Sequence, residues 1–226
     1  MGFHEAVHAH LAAKFYTYLK EDFGERGKAA FVLAVQHYGL QRGQRMAQKA
    51  IRDGKELNHP TFMEYNELLA TSEVVPADGD LESLSPDYEL HITNCPWHDR
   101  FLEMGCLEAG DVYCSLIDKA VCRGFNPELI FEAETNLNSS SYCLHRVKNT
   151  FYEAFPDVAQ KTEDAYGFDY HCAHLYWSIS EVVAAVFQAD GKAVNAAVLK
   201  DFTETYGTEM TDRLVSFRHT NFNVFR

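Results

Sequence analysis

The chain has no cysteine before Cys95, no Cys-x-x-Cys pair and no cluster of lysine or arginine. The first two absences remove the spacing on which a zinc ribbon depends. The third, with a net charge of −13, argues against nucleic acid as a partner, because that affinity rests on cationic contacts to phosphate. Anionic membrane surfaces are disfavoured for the same reason. No run of residues approaches the roughly 20 apolar positions that span a bilayer, so no membrane partner is expected. The amino terminus, Met1-Gly2-Phe3-His4-Glu5-Ala6, lacks the basic-then-apolar order of a secretory signal. It starts like a myristoylation site, but Ala6 stands where Ser or Thr is wanted. The expected location is cytoplasmic, with all six cysteines as reduced thiols. No glycine-rich phosphate loop, nucleophile elbow or dinucleotide fingerprint is present.

What is present is the material for a core. Apolar residues make up 46% of 226 residues, with 16 Phe and 12 Tyr, which excludes a disordered chain and gives ample surface to bury. Apolar positions at helical spacing predict helices over 3–22 and 28–52, with Gly24 and Gly27 between them, and a shorter one over 60–72. Residues 74–87 hold Pro76, Gly79, Pro86 and several acids, so a loop is expected there. Alternation then predicts a strand over 88–95, helices over 97–104 and 111–123, and strands over 129–137 and 142–148, turned at 138–141. After Pro156 the chain returns to helix over 170–189, 192–206 and 208–217, broken at Asp190-Gly191 and Gly207. The expected fold class is α+β: a small, mainly antiparallel sheet covered by helices, with helical segments at both termini, in a single domain over 1–226. Within it, helices fill 3–72 and 156–226 around an α/β core at 88–148.

One stretch of that core carries a distinctive order. It reads Cys95-Pro96-Trp97, then Gly105-Cys106-Leu107-Glu108-Ala109-Gly110, Tyr113-Cys114 with Ile117-Asp118, Gly124-Phe125-Asn126-Pro127, and a strand entering Tyr142-Cys143. This order resembles the L-2-amino-thiazoline-4-carboxylic acid hydrolase family. The resemblance covers most of residues 5–148 and is specific over 94–143. Ser139-Ser140-Ser141 replaces that family's usual Gly-Asp turn, and Leu144-His145 replaces an acidic residue followed by an aromatic one. The resemblance implies hydrolytic opening of a small cyclic amidine or isothiourea carboxylate, with 2-amino-thiazoline-4-carboxylate as the type substrate and a carbamoyl-cysteine as product.

Such a reaction needs a nucleophile for the amidine-like carbon, a base, an acid for the leaving ring atom, and a cation for the carboxylate. Cys95, at a strand end before Pro96, is the first nucleophile candidate. Cys114 and Asp118, four residues apart, would share a helix face as a substrate wall and a proton-transfer group. The alternatives are a buried core thiol and an ion-paired carboxylate. Cys143 and His145 stand at i and i+2 on one strand, hence on one sheet face, where imidazole could activate the thiol. His171 and His174, at i and i+3, suit acid–base work or a metal, and equally fit polar-tipped packing. Arg100, Arg123 and Arg146 flank the motif and could each clamp a carboxylate, or serve in surface ion pairs. Asn126 either touches substrate or holds its own turn. A divalent transition metal on the cysteines and histidines is the alternative to thiolate attack. His4-Glu5-Ala6-Val7-His8 matches the zinc-protease pattern His-Glu-x-x-His. It begins at residue 4 with no strands upstream to seat a peptide, so a protease is not expected.

Two other functional classes fit the same residues. One is a non-catalytic small-molecule or metal-binding domain of the vinyl-reductase-accessory type. The other is an isomerase or lyase of a small heterocycle. The apolar carboxy-terminal helix and the Phe-containing tail at 217–225 would serve either the core or a homodimer interface.

Overall fold

A computed structural model describes residues 2–225; Met1, where the amino-terminal motif begins, lies outside the described residues. Helix α1 (Glu5–Phe23) buries Val7, Leu11, Phe15 and Leu19 completely. Its spacing therefore marked the inward face. Gly24, at φ 57° and ψ −130°, turns the chain directly into α2 (Glu25–Arg52). That conformation is open to glycine and strained for other residues. Gly27 does not break the helix as expected. It lies inside α2 where a Cβ would come within 1.8 Å of the Leu19 carbonyl oxygen, so its role is close approach of α1 and α2.

Asn58 caps α3 (His59–Glu64) by accepting the Thr61 N–H at 3.0 Å. The helix stops at Glu64, short of the expected 72, and residues 66–77 cross the surface without regular structure. The sheet holds four strands where three were expected. They are β1 (Asp78–Ser83), β2 (Tyr88–Asn94), β3 (Phe131–Ala133) and β4 (Cys143–Val147), in the order β1-β2-β4-β3, with every neighbouring pair antiparallel. Strand β1 lies within the expected loop. Asp78, Gly79 and Asp80 give no alternation because the strand is an exposed edge, where backbone pairing with β2 supplies the order.

Between β2 and β3 run α4 (Pro96–Glu103), α5 (Leu107–Cys114) and α6 (Ile117–Phe125). The single helix expected over 111–123 is thus two, interrupted at Ser115-Leu116. Carboxy-terminal α7 (Phe168–Tyr206) is interrupted by non-helical Gln188 (φ 56°), two residues before the expected Asp190-Gly191 break, and α8 (Thr208–Ser216) follows Gly207. By length and composition α7 could cross a bilayer, which the run lengths had not indicated. Its first half is core, with Cys172, Ala173, Leu175 and Ile179 fully buried against α1 and α2, whereas the apolar stretch long enough to span is 28% buried.

Helix α2 also lies close on α6. A Cβ on Gly43 would stand 2.0 Å from the Val121 carbonyl oxygen and 2.5 Å from the Phe125 nitrogen, and one on Gly124 would stand 2.4 Å from the Leu40 carbonyl oxygen. Main chain meets main chain here, leaving no side chain to give way. Gly43→Ala should therefore destabilise the fold by about 1–3 kcal/mol, the usual cost of overpacking. The reading is a lower urea midpoint at unchanged slope; a wild-type midpoint would show that α2 and α6 are free to separate.

Candidate functional site

A cavity of about 340 Å³ opens between the sheet, helices α1, α2, α5 and α6, and the irregular segment 66–77. Cys95, Cys114, Asp118, Cys143 and His145 all line it, so five sequence candidates from three elements and the junction before α4 meet in one place.

Cys95 closes β2 in extended conformation (φ −152°, ψ 121°) and caps α4. Its side chain makes no capping hydrogen bond, but the backbone N–H groups of Trp97 and His98, donors of the first helical turn, favour its thiolate. Burial pushes the Cys95 thiol up to about 11; the two donors oppose that, and the nearby charges of Cys143 and Asp118 add to it. Cys114 ends α5, with its sulfur 3.5 Å from Asn138 Nδ2. Burial, then Cys95 and Asp118, hold its thiol well above the usual range. Cys143 opens β4 and its sulfur accepts the Leu137 N–H at 3.3 Å, yet burial again raises it. Each thiol is thus a proton donor at rest and needs a base.

That base is at hand. His145 Nε2 stands 3.6 Å from Asp118 Oδ2. In the sheet register Cys143 faces Ile92, and His145 faces Leu90 and Ala133, so the i, i+2 spacing does put thiol and imidazole on one face. Cys114 and Asp118 also share the cavity, although the expected common helix is two helices. Asp118 lies in the first turn of α6, where a carboxylate meets the positive end of the helix dipole.

The remaining candidates lie elsewhere. His171 Nε2 bonds the Glu67 carbonyl oxygen at 3.1 Å, and His174 lies between Arg45 and Gln41 at 3.2 and 2.9 Å. Arg100 is engaged by Glu103, His10 and Tyr206. Arg146 is held by Glu89, Glu132 and Glu134. Arg123 borders a separate surface depression with Leu40 and Lys119. Asn126 donates to the Leu57 carbonyl at 2.6 Å and accepts the Glu128 N–H at 2.9 Å, which fastens its own turn.

In the His-Glu-x-x-His turn of α1, Glu5 and His8 are spent on hydrogen bonds, while His4 Nδ1 is buried without a partner. Glu5 accepts the N–H and hydroxyl of Thr71 at 2.9 and 2.5 Å. His8 Nδ1 accepts the Trp97 indole N–H at 3.1 Å, and its Nε2 lies 2.9 Å from the Tyr38 hydroxyl. Among the described residues no three His, Cys, Asp or Glu side chains converge as a metal site.

Two contributors escaped the sequence reading. Segment 66–77 supplies Leu68, Leu69, Ala70 and Pro76 to the cavity and is fastened by Glu5 to Thr71 and by Asn94 to the Pro76 carbonyl. Arg42 of α2 also lines it, 4% exposed and with no hydrogen bond or ion pair to any described residue. The signal for Arg42 was present: Gly39 and Gly43 mark the face of α2 that packs inward, and an arginine beside them points into the protein.

Fold and cavity together describe an α+β protein with a thiol-lined pocket of small-molecule size. Residues 4–143 match the family model described as L-2-amino-thiazoline-4-carboxylic acid hydrolase, and the chain belongs to that family. Membership implies a hydrolase acting on a cyclic carbon–nitrogen compound. No curated protein and no solved structure matches the chain.

The buried histidines carry a pH signature. Burial holds His59 down to about 4 and His171 to about 3, and holds His8 and His174 well below their ordinary value of 6.5. Between those values and 6.5 the unfolded chain binds protons that the folded chain does not, so stability falls as pH falls through that window. Each such histidine contributes up to about 1.4 kcal/mol per pH unit. The urea midpoint should drop clearly between about pH 7 and about pH 5; a flat profile would mean these imidazoles charge within the fold.

Proposed function

We propose that the protein opens a small cyclic amidine or isothiourea carboxylate of the 2-amino-thiazoline-4-carboxylate type by adding water at the ring C=N carbon. The observation that supports this is the meeting of three thiols and the Asp118–His145 pair in one cavity, within the segment that matches the family apart from His145 just beyond it. Cys95 is the nucleophile in this reading, because the N–H groups of Trp97 and His98 at the start of α4 favour its thiolate. Such donors stabilise a thiolate at a helix start.

The chemistry runs in two steps. His145, oriented by Asp118, takes the Cys95 proton, and the thiolate adds to the ring carbon. The ring C–S bond breaks, its sulfur leaves with the proton from His145, and an isothiourea remains on Cys95. Water, deprotonated by the same pair, then adds to that carbon. The Cys95 sulfur departs, the proton returns to it, and the carbamoyl product carries the oxygen of one water.

Incubation with 2-amino-thiazoline-4-carboxylate should yield a product heavier by one water. Cys95→Ser should lower kcat by about a thousandfold or more, and Asp118→Asn or His145→Gln by about 10²–10⁴. Cys114→Ser and Cys143→Ser should cost less. A product of unchanged mass would indicate an isomerase, absence of turnover a binder, and full turnover by Cys95→Ser another nucleophile.

A further inference from the structure

We infer that Arg42 is the anion anchor of this cavity, its guanidinium receiving the carboxylate of the ring substrate. The inference deepens the proposed hydrolase reading and rests on the cavity being the substrate site.

Two arginines of α2 make the case by contrast. Arg45 is completely buried and fully engaged. Its Nε and Nη2 donate to the two oxygens of Glu67 at 3.2 and 2.7 Å, and its Nη1 donates to the Phe222 carbonyl at 2.6 Å. Arg42, one turn earlier, is nearly as buried at 4% exposure. The Tyr38 ring lies 5.7 Å from it, its Nε has no partner, and the charges of Glu67 and Asp118 act on it without a direct ion pair. Arginine stays charged in proteins, and burial disfavours that charge unless an anion faces it directly.

No protein carboxylate pairs with it directly. Glu67 is taken by Arg45 and Lys49, Asp118 faces His145, and Glu5 is held by Thr71. The one open direction is the cavity that Arg42 lines. A planar fork of donors at a largely apolar wall suits a small carboxylate, which it can bind through two parallel hydrogen bonds. The anchor is rigid, because Gly43 beside it is locked against the Val121 carbonyl of α6, the helix that also carries Asp118. Ring and carboxylate are thereby held in one frame with the proton-transfer pair.

The test compares wild type, Arg42→Gln and Arg42→Lys on 2-amino-thiazoline-4-carboxylate and on 2-amino-thiazoline, which lacks the carboxylate. Arg42→Gln should raise KM for the carboxylate about 10- to 100-fold and erase the preference over 2-amino-thiazoline. Arg42→Lys should recover part of that preference, and the thermal midpoint of Arg42→Gln should not fall, since a buried charge with no direct ion pair has been removed. A parallel thermal-shift titration with thiazole-4-carboxylate should stabilise wild type and leave Arg42→Gln unmoved. If wild type turns over neither ring yet shows that Arg42-dependent shift, the hydrolase reading fails and the anchor stands. If Arg42→Gln keeps the carboxylate preference, or thiazole-4-carboxylate shifts neither protein or shifts both alike, the anchor is overturned.

Discussion

Where α2 lies on α6, main chain meets main chain at Gly43 and Gly124, and at Gly39 the Ala120 Cβ packs directly on the helix. Gly39, Gly43 and Gly124 make this possible: a methyl on any of them would stand 2.0–2.5 Å from an atom of the opposite helix. The consequence reaches beyond packing. Arg42 of α2 and Asp118 of α6 are set at fixed depth, because neither helix can rotate without driving main chain into main chain. The sheet then closes the cavity from another side. Registered pairing of β4 with β2 and β3 puts Cys143 and His145 on the same face, where His145 meets Asp118. A catalytic arrangement needs this kind of support, since groups misplaced by about 1 Å can lose much of their effect.

The protein handles buried charge in two opposite ways a turn apart. Around Arg45 every donor is used. Glu67 accepts from it, His174 accepts from it and passes its other nitrogen to Gln41, and the Phe222 carbonyl closes the set. Phe222 stacks on His174 at 4.5 Å, so the carboxy-terminal residues seal an ionic centre that water would otherwise weaken. Arg42 is left open on one side. A satisfied network serves the fold, and an unsatisfied one is a binding site in waiting.

Much of the cavity was legible in the sequence. Cys95 before Pro96, Asp118 in a first helical turn, and Cys143 with His145 at strand spacing all reached the same pocket, because period-2 geometry and cap positions are local properties. What failed was non-local. His171 and His174 share a helix face as their spacing required, but spacing does not say which neighbour that face meets, and here it meets Arg45, Gln41 and Glu67. Strand β1 was read as loop because Asp78, Gly79 and Asp80 carry no burial pattern; its order comes from β2. The helix over 111–123 split at Ser115-Leu116, where no glycine or proline gives notice.

Three thiols and a carboxylate around one small space also constrain each other. Cys95, Cys143 and Asp118 each disfavour ionisation of a neighbouring thiol, so a second thiolate beside the first is electrostatically costly. Burial alone would hold all three cysteines protonated. The two N–H groups at the start of α4 break the tie by favouring negative charge on Cys95. In the proposed reaction, thiolate formation then depends on transfer of the proton to His145 itself, which couples deprotonation of the nucleophile to the presence of the carbon it attacks.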